Sequence, residues 1–155
     1  GLKVGPCGSQ GVGAAARVAL SPGWQTITIE ESISHTGAPF RLALAPSNNG
    51  REDEDVFETC VLLDHFPHHD NPTPAPSLGT DATYVPYHVA VFIPDINCPE
   101  CTLQVVNPMT DKVNGKCTFE PKCDARGNCN SNRGECHSVY HSCADVSVAG
   151  KGSVA

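Results

Sequence analysis

Nine cysteines in 155 residues constrain this chain more than any other feature. A reducing cytosol rarely keeps so many unless they bind metal, and scattered spacings like these read as structural disulfides. The chain is therefore expected to be secreted. Nine is odd, so one thiol is free, pairs with another chain, or has its partner outside these residues. Thirteen Pro and fourteen Gly imply many turns and few long helices. A 39% hydrophobic content is enough for one packed core, and 1–155 reads as a single domain.

The formal net charge of −7 argues against nucleic acid and anionic membranes as partners. It tolerates neutral polysaccharide or a cation. No apolar run approaches the roughly 18 residues needed to span a bilayer. No signal peptide is visible and the chain starts at Gly1, so a processed product or part of a longer one is expected.

Hydrophobic patterning has period two. Ile27, Ile29 and Ile33 share one face and Thr26, Thr28 and Glu30 the other, which predicts a half-buried strand. A turn at His35–Pro39 leads to Phe40–Ala45, expected as the returning strand of a hairpin. Residues 46–55 read as a solvated acidic loop, and Val56–Leu63 as the next apolar run. Residues 71–77 read as extended polyproline-like chain, with Thr73 and Ser77 as compositional candidates for O-linked sugar. Tyr87–Ile93, Thr102–Asn107 and Tyr140–Val148 are further strands. Residues 108–139, polar and with four cysteines, read as a crosslinked loop insertion. Short strands between turns predict an all-β, immunoglobulin/fibronectin-like antiparallel β-sandwich with long disulfide-crosslinked loops.

Several clusters could carry chemistry. Cys98-Pro99-Glu100-Cys101 has zinc-knuckle or redox spacing. Zinc would want a second close pair, whereas Cys117, Cys123, Cys129 and Cys136 lie six or seven positions apart. A redox motif would want a following helix, yet strand follows, so disulfide use is favoured. His65, His68 and His69 beside Asp64 and Asp70 suit a surface metal site or a pH-sensitive patch, but their proline-rich setting suggests a mobile loop. His88, on a strand face, is read as a hydrogen-bonded structural residue. Asp124, Asn128, Asn130, Asn132 and Glu135 offer oxygen ligands to calcium without EF-hand spacing; a plain disulfide loop is the competing reading.

Four stretches together resemble a known pattern. They are Gly5-Pro6-Cys7-Gly8, the run Ile27–His35 leading to Phe40-Arg41-Leu42-Ala43-Leu44, Val91–Pro94 continuing to Cys98-Pro99-Glu100-Cys101-Thr102-Leu103-Gln104, and Tyr140-His141-Ser142-Cys143-Ala144-Asp145. In this order the chain resembles secreted lytic polysaccharide monooxygenase-like proteins, which share the sandwich of chitin-active monooxygenases.

The resemblance implies a copper site, the histidine brace, built from an amino-terminal histidine and a second histidine. Imidazole nitrogen suits Cu(II). It makes His35 the second brace ligand, the competing reading being a turn histidine that caps local backbone. It places Tyr140 or His141 near the axial side. It also implies that Cys98 and Cys101 pair with Cys7 and Cys143, one each, leaving Cys117, Cys123, Cys129 and Cys136 to pair among themselves. Cys60 is then the odd thiol, a candidate link to another extracellular chain or a second copy. The chain departs from the pattern in lacking any histidine before His35 and in carrying Ala38-Pro39 where the family turn has a further His. Three functions follow: a copper-dependent polysaccharide monooxygenase if a mature amino-terminal His exists, a non-catalytic structural or glycan-binding module such as a surface-fibre subunit, or a small copper carrier.

Overall fold

The computed structural model describes residues 5–8, 16–31, 39–47, 54–67, 85–108, 122–123, 129–130 and 139–153. Ten strands follow in order: β1 Val18–Leu20, β2 Gly23–Glu31, β3 Phe40–Pro46, β4 Val61–Phe66, β5 Val85–Ile93, β6 Ile96–Pro108, β7 Lys122–Cys123, β8 Cys129–Asn130, β9 Val139–Ala149 and β10 Gly152–Ser153. The single short 3-10 helix among the described residues is Glu54–Glu58.

One sheet has the order β1-β9-β6-β3-β4, with β10 also on β6; β2 and β5 form a second, two-stranded sheet. The two sheets pack together as an all-β sandwich. Its long ladders are antiparallel, and two short pairings, β1 on β9 and β10 on β6, are parallel.

Period two places the core. Phe40, Leu42 and Leu44 of β3, Leu103 of β6, and Val146 and Val148 of β9 meet Ile29, Tyr87, Val89, Val91 and Ile93 from the second sheet. Thr26, Thr28 and Glu30 face solvent, as the alternation requires.

The expected hairpin does not form. β2 pairs with β5 and β3 pairs with β6 and β4, so the two strands belong to different sheets. Both strands have an apolar face, and each buries it against the other across the sandwich. A hairpin would have left those faces side by side.

Two irregularities have local causes. Between Cys98 and Cys101, β6 gains one residue relative to β9, since Cys98 lies opposite Val148 and Cys101 opposite Val146. Such a bulge turns residues three apart onto one face, and both cysteines enter the core. In β4 a similar slip separates Phe66, opposite Phe40, from Leu63, opposite Leu42. His65 sits in that slip with φ 56°, a left-handed conformation that His adopts more readily than most residues.

The disulfides differ from the expected pairing: Cys7 bonds Cys143 and Cys98 bonds Cys101, with Cα–Cα distances of 5.2 and 5.8 Å. The faces of the sheet explain this. Cys101 points into the core, whereas Cys143 lies opposite Gln104 on the other side of the sheet. A bond between them would have to pass through the sheet.

Between β6 and β9, a two-rung ribbon sets Lys122 opposite Asn130 and Cys123 opposite Cys129. Cys117, Cys136 and the calcium candidates other than Asn130 lie outside the described residues, as do His68, His69 and Asp70.

Cys60 is the free cysteine among the described residues, half-buried against the core. Burial pushes its thiol above the ordinary 9.0. A raised value in the folded state keeps the thiol protonated where the unfolded chain ionises, so this contribution is complete below pH 9 and is lost as the pH rises beyond it. Urea titrations should therefore show stability declining above pH 9 more steeply in the native chain than in Cys60→Ala. At neutral pH the Cys60-dependent fraction of thiol labelling should be slow until denaturant is added. Labelling of the folded chain as fast as in denaturant would contradict the half-buried placement.

Candidate functional site

β2 ends at Glu31 and β3 begins at Phe40 at one pole of the sandwich, and the groups gathered there are the candidate site. From β3 and β4 come Phe40 and Phe66, stacked at 6.5 Å; Tyr87 from the facing sheet meets them edge-on at 5.2 and 6.1 Å. This aromatic cluster ties the two sheets together at the pole. β9 adds Tyr140, opposite Asn107 of β6 and half-buried. Their side of the sheet follows from register, since Ala144 and Val146 share the phase of Tyr140 and Val146 lies in the core.

Two polar residues reach this pole in buried positions. Glu31 is the last residue of β2 and Asn107 the penultimate residue of β6, 7% and 6% exposed. Asn107 Oδ1 has no hydrogen-bond partner among the described residues. A buried acceptor in that state is uncommon and calls for a physical explanation, such as an incoming donor. Sequence reading missed both groups, yet the signal was present. Glu31 continues the phase of Ile27 and Ile29, and Asn107 that of Leu103 and Val105, so each puts a polar side chain on an apolar face.

Tyr140 and His141 part company here. Successive residues in a strand face opposite sides, so only one of them can face the space between the sheets. Tyr140 does. His141, 4% exposed, lies opposite Val106 on the other side, in the row that continues to Arg41. His35 lies outside the described residues. Among the described residues no three His, Cys, Asp or Glu side chains come together as a metal site. Those residues alone therefore do not compose a copper centre.

The far side of the larger sheet is covered by two elements. The 3-10 helix sets Phe57, fully buried, on Ala43 and Ala45, and Glu58 takes both Arg41 terminal nitrogens at 2.7 and 2.6 Å. Arg41 is held above its ordinary value by this hydrogen-bonded partner, against the opposing effect of burial. Beside it, the Cys7–Cys143 bond lays Gly5–Gly8 over β9, and Gln104 Nε2 donates to the Pro6 carbonyl at 2.7 Å. Arg17 clamps the β6–β9 ladder at the bulge, donating to the carbonyls of Cys101 and Val146 at 3.1 and 2.9 Å.

Of the histidine cluster, His65 is described. Its backbone N–H donates to Asp64 Oδ1 at 2.9 Å and its ring lies 3.3 Å from the same oxygen. That contact supports the β4 slip. His88 is hydrogen-bonded to Thr28 Oγ1 at 3.1 Å, in keeping with a structural role.

No family model matches the chain, and no curated protein matches it. Among solved structures, a lytic polysaccharide monooxygenase AA15 from Thermobia domestica, in the Cu(I) state, is similar over 84% of this chain with 17% identity and a TM-score of 0.46. The chain spans 62% of that protein's length. No helix among the described residues is long and apolar enough to cross a membrane.

Proposed function

We propose that this chain is a secreted, single-domain protein of the lytic polysaccharide monooxygenase-like type, directed at polysaccharide. One observation carries the reading: the stretches on which the resemblance rests meet on adjoining strands. Cys7 of Gly-Pro-Cys-Gly is bonded to Cys143 of the Tyr140–Asp145 stretch. That strand pairs with the Thr-Leu-Gln strand, which pairs with the Phe40–Leu44 strand. Chance likeness in four separated segments gives no reason for them to become neighbours.

On this reading the pole is the working end. His35, which follows β2 in the sequence, would serve as the brace histidine, and Tyr140 would stand beside the metal. Asn107 offers an acceptor to a donor arriving there. Copper, where an amino-terminal histidine completes the brace, supplies one-electron oxygen chemistry at a sugar C–H bond.

The test is copper titration of the full mature chain, followed by electron paramagnetic resonance. A three-nitrogen Cu(II) signal is expected, lost in His35→Ala and altered but retained in Tyr140→Phe. A mature chain with no such signal is not a monooxygenase, and a spectrum unchanged by His35→Ala removes that residue from the site.

A further inference from the structure

We propose that the solvent face of the β2–β5 sheet is a second binding surface, one that takes a neutral polysaccharide chain. It rests on the polysaccharide partner proposed above, not on copper. The four large hydrophobic residues exposed among the described residues are Val18, Trp24, Val61 and Phe92. Val18 and Val61 sit on different strands of the larger sheet. Trp24 and Phe92 are directly opposite each other on one rung, 71% and 54% exposed, with ring centroids 5.5 Å apart in an edge-to-face arrangement. Scattered exposed apolar residues are ordinary; two large rings fixed together in water are a contiguous patch that the described residues leave open.

The rungs beyond them define the occupant. Next comes Thr26 opposite Ala90, then Thr28 opposite His88 with the hydroxyl and imidazole hydrogen-bonded at 3.1 Å, then Glu30 opposite Pro86. All eight side chains of this face are solvent-exposed. At about 3.4 Å per residue the face runs about 20 Å from Trp24 to Glu30, room for several sugar units of an extended chain. A sugar ring has an apolar face of C–H groups and a rim of hydroxyls. The exposed face of the Trp24 indole matches the first, with the Phe92 ring set edge-to-face beside it to fix its orientation, while Thr26, Thr28 and His88 match the second as donors and acceptors and Glu30 as an acceptor. Such a mixture of aromatic anchors and a few polar groups is typical of ligand sites.

Charge selects among polymers. The face holds one carboxylate and no Lys or Arg, and the chain carries −7 overall. Anionic glycans and nucleic acid are therefore repelled. The aromatic rung lies at the opposite end of β2 from the Glu31 pole, and Glu30 points to solvent where Glu31 points inward, so this surface and the candidate site are on opposite sides of the sheet.

Trp24 is the only tryptophan in the chain and reports directly on this face. The experiment measures binding of the full mature chain to microcrystalline cellulose, β-chitin and heparin beads. In parallel, Trp24 emission is followed during titration with soluble cello- and chito-hexaose. The expected result is retention on at least one neutral polymer and none on heparin, with a blue shift and protection from quenching. Trp24→Ala and Phe92→Ala should each weaken binding about tenfold or more, the scale of an anchoring aromatic. Both variants should keep the native fold and lower the melting temperature by only about 2–5 °C, the scale of one lost edge-to-face contact on an exposed rung. Unchanged binding in both overturns the surface while leaving the proposed function intact. Failure of the native chain to bind any neutral polymer overturns both. A concentration-dependent dimer abolished by Trp24→Ala, seen by sedimentation, overturns the proposal in favour of self-association.

Discussion

Replacing Cys7 and Cys143 together by Ala should cost this fold about 5 kcal/mol, whereas the same change at Cys98 and Cys101 should cost about 2 kcal/mol from loop closure. The difference is one of span: the first bond links residues 136 apart in sequence and the second residues 3 apart. A crosslink restricts the unfolded chain according to the loop it closes, so the long-range bond removes far more disorder. For a chain of this size the first change should lower the melting temperature by about 15 °C and the second by about 6 °C. Scanning calorimetry of the two double variants, with peptide mapping of the unreduced protein, checks both numbers. Equal losses, or a Cys101–Cys143 peptide in the map, would refute the assigned pairing. Gly5–Gly8 should also lose protection from hydrogen exchange when its bond to β9 is removed.

The second large effect is expected at Arg41. Its side chain is 6% exposed and Glu58, 32% exposed, holds it by two hydrogen bonds. Removing one partner of such a pair leaves a charge out of water without compensation, at a cost of about 3–5 kcal/mol when both are buried. Glu58 is partly open to solvent, so Glu58→Ala should fall near 3 kcal/mol. Replacing both residues by Leu should be nearly neutral, because the desolvation cost of the guanidinium disappears with it. A double-mutant cycle in urea measures this directly. Additive losses would mean that the two residues act separately and that the 3-10 helix is held to the sheet mainly by the packing of Phe57 and Val56 on Ala43 and Ala45.

Arg41 also marks the boundary between what could and could not be read in advance. Its place in Phe40-Arg41-Leu42 gives the correct strand and the correct phase, with Phe40 and Leu42 inward and Arg41 outward. Nothing in the local pattern names its partner, because Glu58 is 17 residues away and belongs to a run read as apolar. Phe57 was equally hidden, since a single large side chain covering a sheet face has no periodicity. At the pole the opposite holds for Glu31 and Asn107, whose phase alone places them on buried faces. That they converge at one end required knowing that β2 and β3 lie in different sheets.

The cysteines and the period-two alternation were enough for a disulfide-bearing all-β sandwich, for the spans of β2, β3, β5 and β9 to within a few residues and for the inward or outward phase of their side chains. These are local properties, carried by side-chain type and by the two-residue repeat of a strand. The alternation was not enough for the break of the 56–63 run into a 3-10 helix and β4 or for the extension of the 102–107 strand back to Ile96. Tertiary structure alone decided which strands pair, which cysteines bond, and which of Tyr140 and His141 faces the space between the sheets. Each of those depends on the side of a sheet on which a residue emerges relative to distant chain, and one inserted residue, as at the Cys98–Cys101 bulge, is enough to reverse it.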